Sequence, residues 1–167
     1  MTAAALSGLL VLGLAGCTTP GPADPTPTPA FSSDEEAFAA AEETYRAYVG
    51  TENARRDDPS APDPQVFLTG NALEIDIESQ QRFQELGVHL VGPSEVTSFA
   101  GQTASSDRTK VAAVVCLDST GARLVDQSGN DVTPTERDPV LELVVSFKWV
   151  DDAFLIIDSD VGDGGSC

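Results

Sequence analysis

The sequence predicts an α+β domain over residues 34–167. Residues 34–49 and 71–86 place apolar side chains at helical spacing. From residue 88 onward the apolar period changes to two, which is typical of strands. Helices that precede a run of antiparallel strands indicate an α+β class, in which the helices pack on one face of the sheet.

The helices carry start and stop signals. Ser33 and Glu36 form a capping-box pattern at the start of the first helix. Gly50 is predicted to end that helix, and Gly87 is a candidate C-cap for the helix at residues 71–86. The polar residues 53–62 predict a solvated turn or a short helix. A further short helix is expected at residues 63–68, because an Asp-Pro pair is a favourable helix start.

The strand region has one central strand and one long hairpin. Residues 110–118 are apolar on both faces, which indicates a strand covered on both sides. Residues 140–150 alternate, and Asp151-Asp152 is predicted to turn the chain into a hairpin partner. The expected strands cover residues 88–91 and 95–99, interrupted at Gly92-Pro93, then residues 110–118, 122–126, 140–150 and 154–157.

The order of these elements resembles the nuclear-transport-factor-2-like superfamily, a cone-shaped, cystatin-like α+β fold. The resemblance covers residues 33–161 and rests on the long first helix, the junction FLTGNA at residues 67–72, and the hairpin of residues 140–157. It implies N-terminal helices packed on the concave face of a strongly bent antiparallel sheet. It also implies a homodimer formed through the sheet. A cystatin-like sheet with different connectivity is the alternative.

The N-terminal segment predicts export and lipidation. Residues 6–15 form an apolar run that is shorter than the roughly 20 residues a membrane span needs. Residues 14–17, Leu-Ala-Gly-Cys, resemble the bacterial lipobox, which implies a signal peptide over residues 1–16 and lipid, including palmitate, on Cys17. Residues 1–5 contain no Lys or Arg, unlike the usual basic start of a signal peptide. A cleaved signal with a free Cys17, or a buried apolar helix, is the alternative.

The segment after Cys17 predicts a spacer. Residues 17–33 are rich in Pro and Thr, which gives an extended, semi-rigid linker with nothing to form a core. The lipobox resemblance implies two acyl chains on Cys17, and two chains on one cysteine suffice to anchor a protein stably to a membrane. The sequence therefore resembles an actinobacterial-type lipoprotein held at the extracytoplasmic face of the cell membrane.

The net charge excludes one class of function, and the number of cysteines predicts one cross-link. The formal net charge is −18, and so acidic a chain is repelled by nucleic acid, which excludes nucleic-acid binding. If Cys17 carries lipid, Cys116 and Cys167 remain as a pair, and oxidising conditions outside the cytoplasm predict a disulfide between them. Two free thiols are the alternative.

Candidate pocket residues are few. His89 is the single histidine, and acid–base enzymes of the resembled superfamily use His or Asp side chains in the cone. A structural or surface role for His89 is the alternative. Asp76 could point into the cone from the second long helix, or it is a solvated helix carboxylate. Trp149 belongs either to the core or to the mouth of the cone. The sequence predicts no catalytic motif, no metal site and no cofactor.

Three functions remain open. The first is a non-catalytic envelope lipoprotein that binds a small apolar ligand or a partner protein. A deep apolar cavity would favour the ligand, and a filled one would favour the partner. The second is a lyase- or isomerase-like enzyme that uses His89 with a carboxylate. The third is a purely structural domain of the cell envelope.

Overall fold

The computed structural model describes residues 29–167, in which two α-helices pack on antiparallel sheets. The predicted α+β class is therefore confirmed. Residues 1–28, which include Cys17 and most of the predicted linker, lie outside the described residues. In chain order the elements are α1 (Asp34–Asp57), a 3₁₀ helix (Pro64–Phe67), α2 (Gly70–Leu86), β1 (Val88–Val91), β2 (Glu95–Ala104), β3 (Lys110–Asp118), β4 (Arg123–Asp126), β5 (Val140–Val150) and β6 (Ala153–Val161).

Helix α1 starts as predicted but continues past Gly50. The Ser33 hydroxyl caps the helix by accepting a hydrogen bond from the Glu36 N–H at 3.2 Å. Glycine inside a helix costs about 1 kcal/mol relative to alanine, and this cost is offset by tertiary contacts of the last two turns. Asn53 Nδ2 donates to the Ser94 carbonyl at 2.8 Å, and Arg56 Nη1 donates to the Ser94 hydroxyl at 3.0 Å. The prediction that Gly50 ends the helix is wrong for this reason.

The strands form two sheets. Strands β2, β3, β5 and β6 form a four-stranded antiparallel sheet in the order β2-β3-β5-β6, and β1 pairs with β4 in a separate two-stranded sheet. The interruption expected at Gly92-Pro93 thus separates two strands that belong to different sheets. Gly92 has a φ of +80°, and a Cβ there would lie 2.2 Å from the Gly121 carbonyl oxygen. The close approach of the two backbones requires glycine at this corner.

The hairpin between β5 and β6 has the predicted two-residue turn. Val150 pairs with Ala153, and Asp151 and Asp152 have φ values of +48° and +65°. Positive φ at both positions defines a type I′ turn, whose twist matches that of the flanking strands.

The core lies between α1 and the inner face of the four-stranded sheet. Helix α1 buries a row of residues one turn apart, namely Ala37, Ala41, Tyr45 and Val49. Opposite this row, Phe147 of β5 is 1% exposed, and its ring centroid lies 6.1–6.3 Å from those of Tyr45, Phe99 and Phe154. This aromatic cluster joins the helix to three of the four strands.

Helix α2 buries little of its surface and is attached at its start, at its end and by the Gln65–Asp76 hydrogen bond near its middle. At its start, the Thr69 N–H donates to the Ile156 carbonyl, and Asn71 Nδ2 donates to Asp158 Oδ1 at 2.8 Å. At its end, Gly87 adopts the left-handed conformation, as predicted, and leads into β1. Within Gly70–Leu86, Ala72 is the one buried residue. The side chains of Ile75, Ile77 and Leu86 are 44%, 39% and 63% exposed.

The predicted disulfide between Cys116 and Cys167 is present. It fastens residues 162–167 against the outer face of the sheet, beside Glu142. The Glu142 side chain is buried, its Oε2 accepts a hydrogen bond from the Ser166 N–H at 2.6 Å, and its main-chain carbonyl accepts from the Gly162 N–H at 2.8 Å. The Ser166 N–H, aided by those of Gly164 and Asp163, holds the pKa of the Glu142 carboxyl below its ordinary value.

Glu142→Gln is expected to destabilise the protein at neutral pH and much less in acid. A carboxyl whose pKa is lower in the folded than in the unfolded state stabilises the fold above its unfolded pKa, and this contribution is lost as pH falls through the folded pKa. Urea unfolding at a series of pH values from 7 to 3 measures the difference between the two proteins. The exposed Glu136→Gln is the matched control and should leave stability unchanged at neutral pH. A difference for Glu142→Gln that persisted at pH 3 would contradict the charge-based explanation.

Candidate functional site

A cleft of about 730 Å³ opens between α1, α2, β1 and the inner face of the large sheet. Its floor is apolar and is contributed by several elements, with Val49, Leu68, Leu117, Leu143 and Ile156 as its main aliphatic side chains. Small-molecule sites typically measure about 300–1,000 Å³ and combine an apolar lining with a few polar groups. The cleft therefore has the size and lining of a ligand site.

The polar side of the cleft carries two carboxylates on neighbouring helices. Glu52 belongs to the last part of α1, and Asp76 faces it from α2. Asp76 Oδ2 accepts hydrogen bonds from Gln65 Nε2 at 2.9 Å and from Gln80 Nε2 at 2.8 Å. Two neutral amides thus fix the position of the Asp76 carboxylate without neutralising it.

Glu52 lies in an environment that disfavours its charge. Burial raises the pKa of the Glu52 carboxyl, and the neighbouring Asp76 raises it further. Arg56, whose Nη2 lies 3.6 Å from Glu52 Oε2, and the Tyr48 hydroxyl act in the opposite direction. Burial likewise raises the pKa of Tyr48 above its ordinary value, which keeps that hydroxyl protonated. The site therefore holds a neutral hydroxyl and a carboxyl that protonates more readily than usual.

The two arginines of the cleft are bonded to protein oxygens. Arg56 Nη1 donates to Asn53 Oδ1, to the Gly92 carbonyl and to the Ser94 hydroxyl. Arg55 Nη1 donates to the Ala61 carbonyl. These contacts hold the end of α1 against the corner between β1 and β2 and the loop that follows the helix.

Two of the three candidate pocket residues line this cleft. His89 on β1 and Asp76 on α2 both contribute to its walls, and His89 is exposed. Trp149 does not line the cleft. Its ring packs at the far end of the sheet, with centroid distances of 4.7 Å to Phe31 and 5.1 Å to Phe154.

Sequence reasoning missed Glu52 and Tyr48. Tyr45, Tyr48 and Glu52 follow one another at intervals of three and four residues, which places them on one face of a helix. The signal was present, but the expectation that Gly50 ends the helix removed Glu52 from that face. If the helix had been predicted to continue past Gly50, all three side chains would have been placed on one face.

Comparisons with known proteins bear on the fold. No protein family and no curated protein matches this chain. The crystal structure of the intermembrane space region of the chloroplast protein ARC6 is similar to it, with a TM-score of 0.50 and 18% sequence identity, over 74% of this chain and 95% of that one. At this identity the likeness shows the fold alone. Over residues 29–167, neither helix is both long enough and apolar enough to cross a bilayer.

Proposed function

We propose that the domain binds a small apolar ligand in the cleft between α1 and α2, without chemical conversion. The observation that carries the proposal is the open cleft of about 730 Å³ with an aliphatic floor. An open apolar cavity favours a small ligand over a partner protein, because a partner needs a surface and not an internal space. The resemblance to nuclear-transport-factor-2-like proteins agrees with this, since their cone encloses such a cavity.

Catalysis is the second candidate, because His89 and two carboxylates share the cleft. A general base needs a partner that orients it. Within residues 29–167, no hydrogen bond joins His89 to Asp76 or to Glu52; Asp76 is held by glutamine amides instead. Binding without catalysis is therefore the better-supported proposal.

Filling the cleft is expected to weaken binding strongly. Ser159 lies on the inner face of β6 and lines the cleft, so Ser159→Trp should weaken the binding of the neutral dye N-phenyl-1-naphthylamine about tenfold or more. Dye fluorescence during a protein titration measures the affinity. Ser146→Trp places the same side chain on the outer face of the sheet and should leave the affinity unchanged. Equal affinities for both variants, or no dye binding to the parent protein, would contradict the proposal.

We further propose that lipid on Cys17 holds the domain at the extracytoplasmic face of the membrane. The lipobox-like residues 14–17 and the following linker support this. In a bacterial host fed an alkyne analogue of palmitate, the parent chain should incorporate the label and sediment with membranes. Cys17→Ala should lose both properties, and Cys167→Ser should keep them. Label retained by Cys17→Ala would place the lipid elsewhere.

A further inference from the structure

The cleft contains a carboxylate, Asp76, that has no positively charged partner within residues 29–167. Residues 29–167 form three salt bridges, and Asp76 belongs to none of them. Its two hydrogen-bond donors are neutral amides. A carboxylate within a partly apolar cavity is stabilised strongly by an opposite charge, because the field there is screened less than in water.

The charged groups around Asp76 do not supply that partner. Glu52 faces it across the cleft and carries the same sign when ionised. Arg55 and Arg56 donate to carbonyl and side-chain oxygens of α1 and the adjoining loops, and His89 stands exposed on β1. The Arg56 guanidinium lies 3.6 Å from Glu52 and offsets the charge of that carboxylate, whereas Asp76 belongs to no such pair in the described part of the chain. Asp76 and the Glu52–Arg56 pair therefore face one space that has room for a ligand, and the charge of Asp76 is not balanced there.

Aromatic side chains next to this pair suit a cation. Tyr48 lines the cleft beside Glu52, with Tyr45 at 6.0 Å and Phe67 at 6.5 Å between ring centroids. An aromatic face attracts an organic cation, because the π electrons give that face a partial negative charge. An anionic headgroup beside Asp76 would meet a carboxylate that no Arg or Lys within residues 29–167 pairs with.

We propose that the ligand is a cationic amphiphile, whose protonated amine lies between Glu52 and Asp76 while its apolar body occupies the aliphatic floor of the cleft. This inference rests on the proposed ligand-binding function and names the chemical class of the ligand. Charge complementarity indicates that one end of the ligand is cationic. The apolar floor formed by Leu117, Leu143 and Ile156 indicates that its other end is apolar.

The test compares three probes with the same ten-carbon chain, namely decylammonium, decanol and decanoate. Each is titrated calorimetrically at pH 7, the two ions below their micelle concentrations and decanol below its solubility limit. Decylammonium should bind about 10- to 100-fold more tightly than decanol, since a hydrogen bond to a charged group contributes about 1.5–3 kcal/mol. Decanoate should bind more weakly than decanol. Equal affinities for decylammonium and decanol would overturn the cationic ligand and leave the proposed function standing. Absence of binding by all three probes would overturn both.

A pair of matched double variants separates the cleft from the general acidity of the chain. Glu52→Gln with Asp76→Asn should reduce decylammonium to the affinity of decanol. Glu74→Gln with Glu85→Gln removes the same charge from exposed positions of α2 that do not line the cleft, and should change the affinity less than twofold. An equal loss in both variants would assign the effect to the net charge and overturn the inference. If the cleft double variant does not fold, Asp76→Asn alone provides the same comparison with Glu74→Gln.

Discussion

Loss of the Cys116–Cys167 disulfide is expected to lower the free energy of unfolding by about 4 kcal/mol. The bond closes a loop with a sequence separation of 51 residues. In the chain-entropy treatment, breaking the bond that closes a loop of this size increases the conformational entropy of the unfolded chain. This increase accounts for the whole expected loss of unfolding free energy. A domain typically has only about 5–15 kcal/mol of stability, so this single cross-link is a large share of the total.

The measurement is urea unfolding of Cys167→Ser in a Cys17→Ala background, where no third thiol competes. Cys167 is exposed, so its replacement removes the cross-link without opening a cavity in the core. A reducing agent should lower the stability of the Cys17→Ala parent by a similar amount and leave Cys167→Ser unaffected. A loss below about 1 kcal/mol would show that the loop is already restricted in the unfolded chain.

Replacement of Phe147 by alanine is expected to cost about 3–5 kcal/mol. The ring is 1% exposed and meets Tyr45 of α1, Phe99 of β2 and Phe154 of β6. The substitution removes the buried apolar surface of the ring and leaves a cavity among the other three rings. It also removes the contacts of Phe147 with those rings, each of which contributes about 0.5–1.5 kcal/mol.

Thermal and urea unfolding of Phe147→Ala measure this loss. Val144 lies on the opposite face of the same strand and is 41% exposed. Its replacement by alanine should cost about 1 kcal/mol or less. Similar losses for the two variants would show that the helix-facing side of the sheet is not the main core.

Patterns that belong to one segment were predictable from the sequence. Strand β3 begins and ends with the run that is apolar on both faces, β5 begins and ends with its apolar alternation, and α2 ends with Gly87 as its C-cap. Such boundaries depend on side chains close in sequence, whose spacing and turn chemistry act locally. The fold class followed from the order of these segments.

Features that depend on distant contacts were not predictable. The extension of α1 past Gly50 relies on hydrogen bonds from Asn53 and Arg56 to Ser94, which lies about forty residues further along the chain. The separation of β1 from β2 into two sheets relies on the approach of Gly92 to Gly121. Neither contact leaves a periodic trace in the sequence, so neither could be read from it.

The same difference between local patterns and distant contacts explains which residues of the candidate site were predicted. His89 and Asp76 drew attention by residue type, and both line the cleft. Glu52 is one glutamate in a chain with 27 acidic residues, and its residue type alone did not single it out. What distinguishes it is partial burial beside Asp76 and Tyr48, a property that only the folded chain has.

The small buried surface of α2 has a consequence for how a ligand enters. With Ala72 as the one buried residue of Gly70–Leu86, this helix can open with a smaller free energy than α1 or the sheet, which share the aromatic cluster. Amide hydrogen exchange should then proceed faster along the middle of α2 than along β3. A ligand in the cleft would slow it, because the ligand adds the apolar contacts that the helix lacks. Part of the binding free energy would go into ordering that wall, so the measured affinity would underestimate the strength of the contacts.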